Sequence, residues 1–146
     1  MPLTLSIVTA ERTVLERGDV QRLVVPTSEG QITILPKHAA LMASLGIGEM
    51  IAHTPEGQQP IAIHGGFIQV VNDEVSVLAD AAERAGEIDE SRAEAARDRA
   101  RGRIEGRIHI EEGALDLLRA QLALQRALIR LKVHRRRAGT GAPPVR

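Results

Sequence analysis

The fold of this chain turns on residues 61–93, IAIHGGFIQVVNDEVSVLADAAERAGEIDESRA. Its first half holds short apolar runs, Ile61 to His64, Phe67 to Val71 and Val75 to Leu78, cut by Gly65-Gly66 and Asn72-Asp73. Aliphatic runs this short, bounded by turn formers, are strands. After Ala79 the rhythm changes. Gly86 punctuates, Asp89 stands where an N-cap belongs, and Ala93, Ala96, Ala100 and Ile104 then recur on one helical stripe. A strand domain hands over to a helical one within this stretch.

Toward the N-terminus the strand grammar continues. Leu3, Leu5 and Ile7 alternate with polar neighbours, Arg12 to Leu15 follows, Leu23-Val24-Val25 stops at Pro26, and Ile32 to Leu35 stops at Pro36. Ala43 to Leu45 and Gly48 to His53 complete the series, with Pro55-Glu56-Gly57 as a further break. Many strands so closely spaced predict a small sandwich or barrel over residues 1–84. Toward the C-terminus, residues 85–137 predict two helices. Gly102 and Gly106 lie one turn apart near the end of the first, each costing about 1 kcal/mol relative to alanine inside a helix. They either admit a neighbouring helix closely or leave this end easy to unwind. The second helix is predicted from Ala114 to His134. Leu115, Leu118, Leu122 and Ile129 form one stripe, with Leu117, Leu124, Leu128 and Leu131 beside it, a face broader than a thin alanine helix covers. The close of the chain, residues 134–146, is basic and then rich in Gly and Pro, and residues 138–146 read as a flexible tail.

Composition excludes several classes. The 146 residues contain no cysteine, so neither disulfides nor a thiolate metal site holds the chain together. Hydrophobic residues make up 43% but aromatics only 1%, with Phe67 the sole ring, which argues against modules that stack nucleic-acid bases. Nineteen basic side chains cancel nineteen acidic ones. The balance hides a split: residues 1–84 carry 5 basic and 10 acidic groups, residues 85–146 carry 14 and 9. No apolar run is long enough to span a membrane and no basic leader opens the chain, so a soluble protein that stays where it is made is expected. Peripheral attachment to a membrane complex remains compatible with this.

Little points to autonomous chemistry. His38, His53, His64, His109 and His134 show no paired metal-ligand spacing. No nucleophile elbow, phosphate loop or dinucleotide fingerprint occurs, and Gly46-Ile47-Gly48 lacks both the third glycine and a following helix. Gly65-Gly66 is read as relief of backbone crowding or a positive dihedral, and His38, in a loop, as a structural or interface histidine. The arginines offer more. Arg92 and Arg99 are two turns apart, and Arg119 and Arg126 repeat that spacing on the second helix. In an antiparallel hairpin these guanidinium groups could converge on a phosphate chain, with Asp89 or Glu83 at a base or ribose. The simpler reading from spacing alone is solvated faces balanced by Glu90, Glu94, Asp98, Glu105 and Asp116.

Three stretches, in order, resemble the family of F-type ATP synthase epsilon subunits. Residues 30–41, GQITILPKHAAL, look like the family's G-x-x-G-I-L-P-x-H-A-P-L loop, departing at Thr33 and Ala40. Residues 65–71, GGFIQVV, with 75–79, VSVLA, and Ala82-Glu83 are closer. Residues 88–93, IDESRA, resemble the I/L-D-x-x-R-A motif linked to ATP binding in some bacterial members. The resemblance implies an α+β protein: a flattened ten-stranded β-sandwich followed by an antiparallel two-helix hairpin. It implies a non-catalytic rotor subunit of the central stalk, with the sandwich on the gamma subunit and the c-ring, and the hairpin able to reach the alpha/beta catalytic head and block hydrolysis. Gln31 would face the c-ring and His38 the gamma subunit. Arg126, Arg130, Lys132, Arg135, Arg136 and Arg137 would form the inhibitory basic face. No cofactor is implied as a requirement; ATP is the candidate regulatory ligand, held by Glu83, Ile88, Asp89, Arg92, Ala93, Arg99 and Arg126. The location implied is peripheral, on the cytoplasmic face of the bacterial plasma membrane, in a hetero-complex and not a homo-oligomer, with no nucleic acid.

Two rivals stand beside this reading. A free ATP-sensing protein would be a stable monomer without a gamma partner. A small β-sandwich enzyme or sugar-binding module would show a pocket lined with carboxylates or aromatics.

Overall fold

The computed structural model describes residues 1–106 and 114–141, the side chains of 114, 115 and 137–141 excepted. Leu115, His109 and Arg137 therefore lie outside the described side chains, and residues 142–146 of the expected tail lie outside the described residues. Eight strands come first: β1 (Leu3–Val8), β2 (Thr13–Val20), β3 (Arg22–Thr27), β4 (Gly30–Ile34), β5 (Leu41–Thr54), β6 (Gly57–Val71), β7 (Glu74–Ala79) and β8 (Ala82–Arg84). A 3-10 turn at Ala85–Glu87 leads into α1 (Glu90–Ile104), and α2 (Ala114–Gly141) follows.

The strands form one hydrogen-bonded path, β2-β1-β7-β6-β5-β3-β4, with β8 also on β6. This path folds over itself. Ile7, Val14 and Val20 from one end and Leu23, Val25 and Ile34 from the other are buried in the same core, which makes a sandwich of a continuous sheet. The alternation seen in the sequence does the sorting: in β7, Val75, Val77 and Ala79 point inward and Glu74, Ser76 and Leu78 outward.

Eight strands replace the expected ten because β5 and β6 are long and bent rather than broken. Their ladder runs from Leu41↔Val70 to Thr54↔Gly57 around a Pro55-Glu56 turn, so Ala43–Leu45 joins Gly48–His53, and Ile61–His64 joins Phe67–Val71. Glycine makes the bend possible. At Gly66, φ is +121°, and a Cβ there would stand 2.2 Å from the Leu78 carbonyl oxygen. At this point β6 changes partner, from β8 over Ile61–Ile63 to β7 over Gly66–Val71. The crowding inferred from the sequence is real.

Asp89 caps α1, its Oδ1 accepting from the Arg92 backbone N–H at 3.1 Å. Gly106, at φ +78°, follows the C-cap Glu105 and stops the helix; Gly102 is a buried position inside it. The helices run antiparallel, since Arg135 near the end of α2 reaches Glu90 and Glu94 at the start of α1. Buried Ala93 and Ala100 on α1, and Ala120 and Ala127 on α2, are seven apart on each helix, the small-residue seam that close packing needs. As the sequence suggests, this seam leaves leucines uncovered: Leu117, Leu118, Leu122 and Leu128 are exposed. The helix also continues to Gly141, past the point where the tail was expected to begin at residue 138.

The hairpin rests on the sandwich through a second, smaller apolar cluster of Ala62, Ala85, Ile88 and Val133, with Ile129 at its edge. Burying Ile88 and Val133 contributes about 1.5–3 kcal/mol each. So thin a seam is supplemented by charge.

Candidate functional site

Among the described residues, four carboxylates outside α2 receive cations from its C-terminal half. Glu49, on β5, has a side chain only 5% exposed; Arg136 Nε donates to its Oε2 at 2.6 Å and Lys132 Nζ stands 3.9 Å from Oε1. Glu83, on β8, accepts from Arg130 Nε at 2.6 Å and from His64 Nε2 at 3.1 Å, both on Oε1. Arg135 Nε donates to Glu90 at 3.5 Å and its Nη2 lies 3.9 Å from Glu94. The expected basic face is thus divided: Arg130, Lys132 and Arg136 turn to the sandwich and Arg135 to α1. Burial pushes the Glu83 carboxyl up, but the hydrogen bonds and charges of His64 and Arg130 outweigh it and hold it below the usual carboxylate range.

Beside Glu83 opens a cleft of about 530 Å³, lined by Glu83, Glu87, Asp89, Arg92, Ala93, Ala95, Arg99 and Arg130. Its charges are unequally engaged. Glu83 is held by His64 and Arg130. Glu87 is gripped in a fork by Arg12, Nη1 to Oε2 at 2.8 Å and Nη2 to Oε1 at 3.0 Å, and also accepts from the Arg84 backbone N–H. The Arg12 hydrogen bond, foremost, keeps the Glu87 carboxyl below its ordinary range. Asp89 is occupied as the cap. The side chains of Arg92 and Arg99, by contrast, have no acidic partner among the described residues, so the uncompensated charge facing the cleft is positive. The opening suits an anion with several oxygens.

The I-D-x-x-R-A motif resolves into separate tasks. Ile88 is a buried anchor in the apolar seam, Asp89 the cap, Arg92 a cation at the cleft, and Ala93 a buried contact in the helix seam that also reaches the cleft wall. Of the residues expected to meet ATP, Glu83, Asp89, Arg92, Ala93 and Arg99 line one opening, with Ile88 behind it. Arg126 does not. It sits one turn before Arg130 on the same face of α2, about 6 Å away along the helix axis, and it is Arg130 that stands at the cleft. Sequence reasoning missed Glu49, His64 and the Arg12–Glu87 fork. A charged residue inside the otherwise apolar run Gly48 to His53 was the one visible signal for Glu49.

Gln31 is exposed next to the β3–β4 turn, and His38 is half-buried in the loop beyond the other end of β4, its Nδ1 2.8 Å from the Ala39 carbonyl oxygen. The structure therefore separates them by the length of a strand. On the outer face of β5, β6 and β7 a third feature appears: Met42, Phe67 and Leu78 are 70%, 59% and 61% exposed. Phe67 pairs directly with Leu78 on one side and with Ser44 on the other, so the three apolar side chains share one face. Among the described residues no cluster suited to a metal ion occurs, and no helix is long and apolar enough to cross a membrane.

Comparison with known proteins accounts for this layout. Residues 2–85 match the model of the ATP synthase delta/epsilon chain β-sandwich domain, and residues 87–134 that of the long α-helix domain of the same chain. The ATP synthase epsilon chain of Herpetosiphon aurantiacus is 46% identical over 91% of this chain and 94% of its own length. That of Chloroflexus aggregans is 43% identical over 91% and 92%. In fold, the chain is similar to one in the cryo-EM structure of the Euglena gracilis mitochondrial ATP synthase OSCP/F1/c-ring assembly, with a TM-score of 0.75 and 21% identity over 90% of this chain and 79% of that one. A strand domain and a helical hairpin, matched in order and almost end to end, place this chain in the ATP synthase delta/epsilon chain family.

Proposed function

We propose that this chain is the epsilon subunit of a proton-translocating F-type ATP synthase, a non-catalytic rotor component of the central stalk. The carrying observation is the match of both domains, in order, to epsilon chains over nine-tenths of the sequence. Its partners are the gamma subunit, the c-ring and the alpha/beta catalytic head, and its place is peripheral, on the cytoplasmic face of the bacterial plasma membrane. The apolar face of Met42, Phe67 and Leu78 is the surface we assign to gamma, since an exposed apolar cluster on a small sheet calls for a partner. Affinity purification of a tagged copy tests the assignment: recovery of gamma with the catalytic subunits is expected, and recovery of the chain alone would overturn it.

The hairpin supplies regulation. Arg130, Lys132, Arg135 and Arg136 are held here by the chain's own carboxylates, and the same cations can exchange these for acidic groups of the catalytic head when the hairpin lifts, blocking hydrolysis. Weak apolar seating with charge-based latching suits such an exchange. Removing residues 86–146 is then expected to raise ATP hydrolysis by the complex.

ATP in the cleft would favour the lowered hairpin, because the cleft draws on both β8 and the two helices. At a hundred times its dissociation constant a ligand contributes about 2.7 kcal/mol, enough to tip states separated by a few kcal/mol. The cleft also supports a second reading, a free ATP-sensing protein; the same purification separates the two.

A further inference from the structure

The seat of Arg136 at the end of α2 lies on a strand face that also carries a histidine. In β5 the buried residues Met50, Ala52 and Thr54 alternate with Glu49, Ile51 and His53, so Glu49 and His53 share the side on which Arg136 sits. Across the ladders His53 stands opposite Arg22 on β3 and Gln58 on β6. The Arg22 Nη2 lies 3.2 Å from Nε2 and 3.4 Å from Nδ1 of the half-buried ring. That contact has a proton requirement. A neutral imidazole keeps one nitrogen able to accept from a guanidinium, whereas imidazolium keeps none, and like charges directly opposite on a sheet repel.

The charges around the ring are unbalanced. Arg22 comes from β3, Arg136 and Lys132 come from α2, and the carboxylate that answers the two α2 cations is Glu49. Arg22 has no acidic partner among the described residues, and Gln58 brings no charge. Burial, foremost, and then the charges of Arg22 and Arg136 hold the imidazole pKa below its ordinary value. Coupling of this kind is reciprocal: since Arg136 in its docked seat disfavours the proton, the proton disfavours that seat by the same factor. Of the parties, α2 is the one able to move. The strands β3 and β5 are locked by their ladder and by Leu23, Val25, Met50 and Ala52 in the core, whereas α2 rests on the thin seam of Ile88 and Val133.

We propose that His53 is a proton switch for the hairpin: the neutral ring lets Arg136 close on Glu49, and the protonated ring drives the end of α2 away from the sandwich. The sign follows from linkage. The undocked chain binds this proton more tightly than the docked one, so docking is strongest above the ordinary histidine range and weakens as pH falls through it. Glu83 acts outside this window, because its carboxyl is held below the usual carboxylate range. The switch belongs to the free chain and does not depend on which partner the lifted hairpin meets.

The test follows amide hydrogen exchange of α2 from Ile129 to Arg136 in the full chain, from about pH 8 to about pH 5.5, a span that brackets the ordinary histidine value. Protection factors are compared, so that the intrinsic pH dependence of exchange is divided out. In the unmodified chain protection is expected to fall about 2- to 5-fold over this span, the size of one charge coupling at a partly exposed site, while that of the core strands stays level. His53→Gln should remove most of the fall, and His53→Lys, a permanent cation, should lower protection at both ends of the span. A second readout leaves the histidine in place: the His53 ring resonance, titrated by NMR, should protonate at higher pH in Arg136→Gln than in the unmodified chain. A level profile in the unmodified chain would overturn the proposal. So would persistence of the whole fall in His53→Gln, which would move the switch to His64 or His134, or an unchanged His53 titration in Arg136→Gln.

Discussion

Arg136 and Glu49 stand 87 residues apart in the chain, and the Arg136 Nε donates to the Glu49 carboxylate at 2.6 Å. The bond closes the last described turns of α2 onto the middle of β5. Its two ends are unequal. Glu49 is almost wholly buried, while Arg136 keeps a third of its side chain in water. Removing the cation therefore strands a buried charge, with Lys132 at 3.9 Å as the remaining counter-ion, whereas removing the anion leaves cations that water can reach.

That asymmetry gives the first prediction. Arg136→Met should lower the stability of the docked hairpin by about 1–3 kcal/mol, a buried-pair cost discounted for the exposure of the arginine. Glu49→Gln should cost less, and the double variant Glu49→Met/Arg136→Met should recover most of the loss. Hydrogen exchange of the α2 backbone amides in the isolated chain measures all three. If Glu49→Gln opens α2 more than Arg136→Met does, burial is not what governs the pair.

Gly66 carries the second. Its φ of +121° and the 2.2 Å approach of an added Cβ to the Leu78 carbonyl leave no room for alanine without moving backbone on β6 or β7. Gly66→Ala should destabilise the sandwich by about 3 kcal/mol or more. Gly18→Ala on β2, where an added Cβ meets nothing within 4 Å, should change stability by no more than about 0.5 kcal/mol. Urea denaturation of each variant gives the comparison.

Gly66 also shows where sequence reading stops. The Gly65-Gly66 pair was visible as a special backbone position, but a run of residues does not say whether the strand ends there or bends and continues with a new partner. The answer lay in β7 and β8, which pair with the two halves of β6. The I-D-x-x-R-A segment was more legible because its work is local, a cap and the first helical turn. Glu49 and His64 were not, since each becomes significant through a residue distant in the chain, Glu49 through Arg136 on α2 and His64 through Glu83 on β8. Arg126 and Arg130, four apart, share a face of α2, so spacing left open which of the two turns stands at the cleft, and it is that of Arg130.

Glu83 yields a pH dependence. Its carboxyl is held below the ordinary range in the folded chain, by His64 and Arg130 acting against burial. A depressed native pKa contributes stability that is present above the unfolded value and is lost as pH falls through the native one. The Glu83 link should therefore be intact at neutral pH and weaken only under acid conditions, after ordinary carboxylates have begun to protonate. Melting temperature followed by circular dichroism down the acid range should show a drop that Glu83→Gln shares only in part. An identical acid profile for the variant would mean that this carboxylate contributes nothing to docking.

The outer sheet face supplies the last prediction. Phe67 and Leu78 are direct cross-strand neighbours with more than half of each side chain in water, and Met42 lies diagonally across β5. Since neither ring nor leucine fills the sandwich core, replacing them with aspartate removes little folding energy, within about 1 kcal/mol for exposed positions. A partner surface would feel the change far more, because each aspartate would bring a charge into an apolar contact without a counter-ion. Phe67→Asp/Leu78→Asp is expected to keep the melting temperature of the free chain within a few degrees, yet to abolish recovery of gamma with a tagged copy. The same two substitutions on the opposite, helix-covered face would be uninformative, because they would also release the hairpin. Full recovery of gamma by the double variant would move the docking surface elsewhere on the sandwich, with the loop around His38 as the next place to substitute.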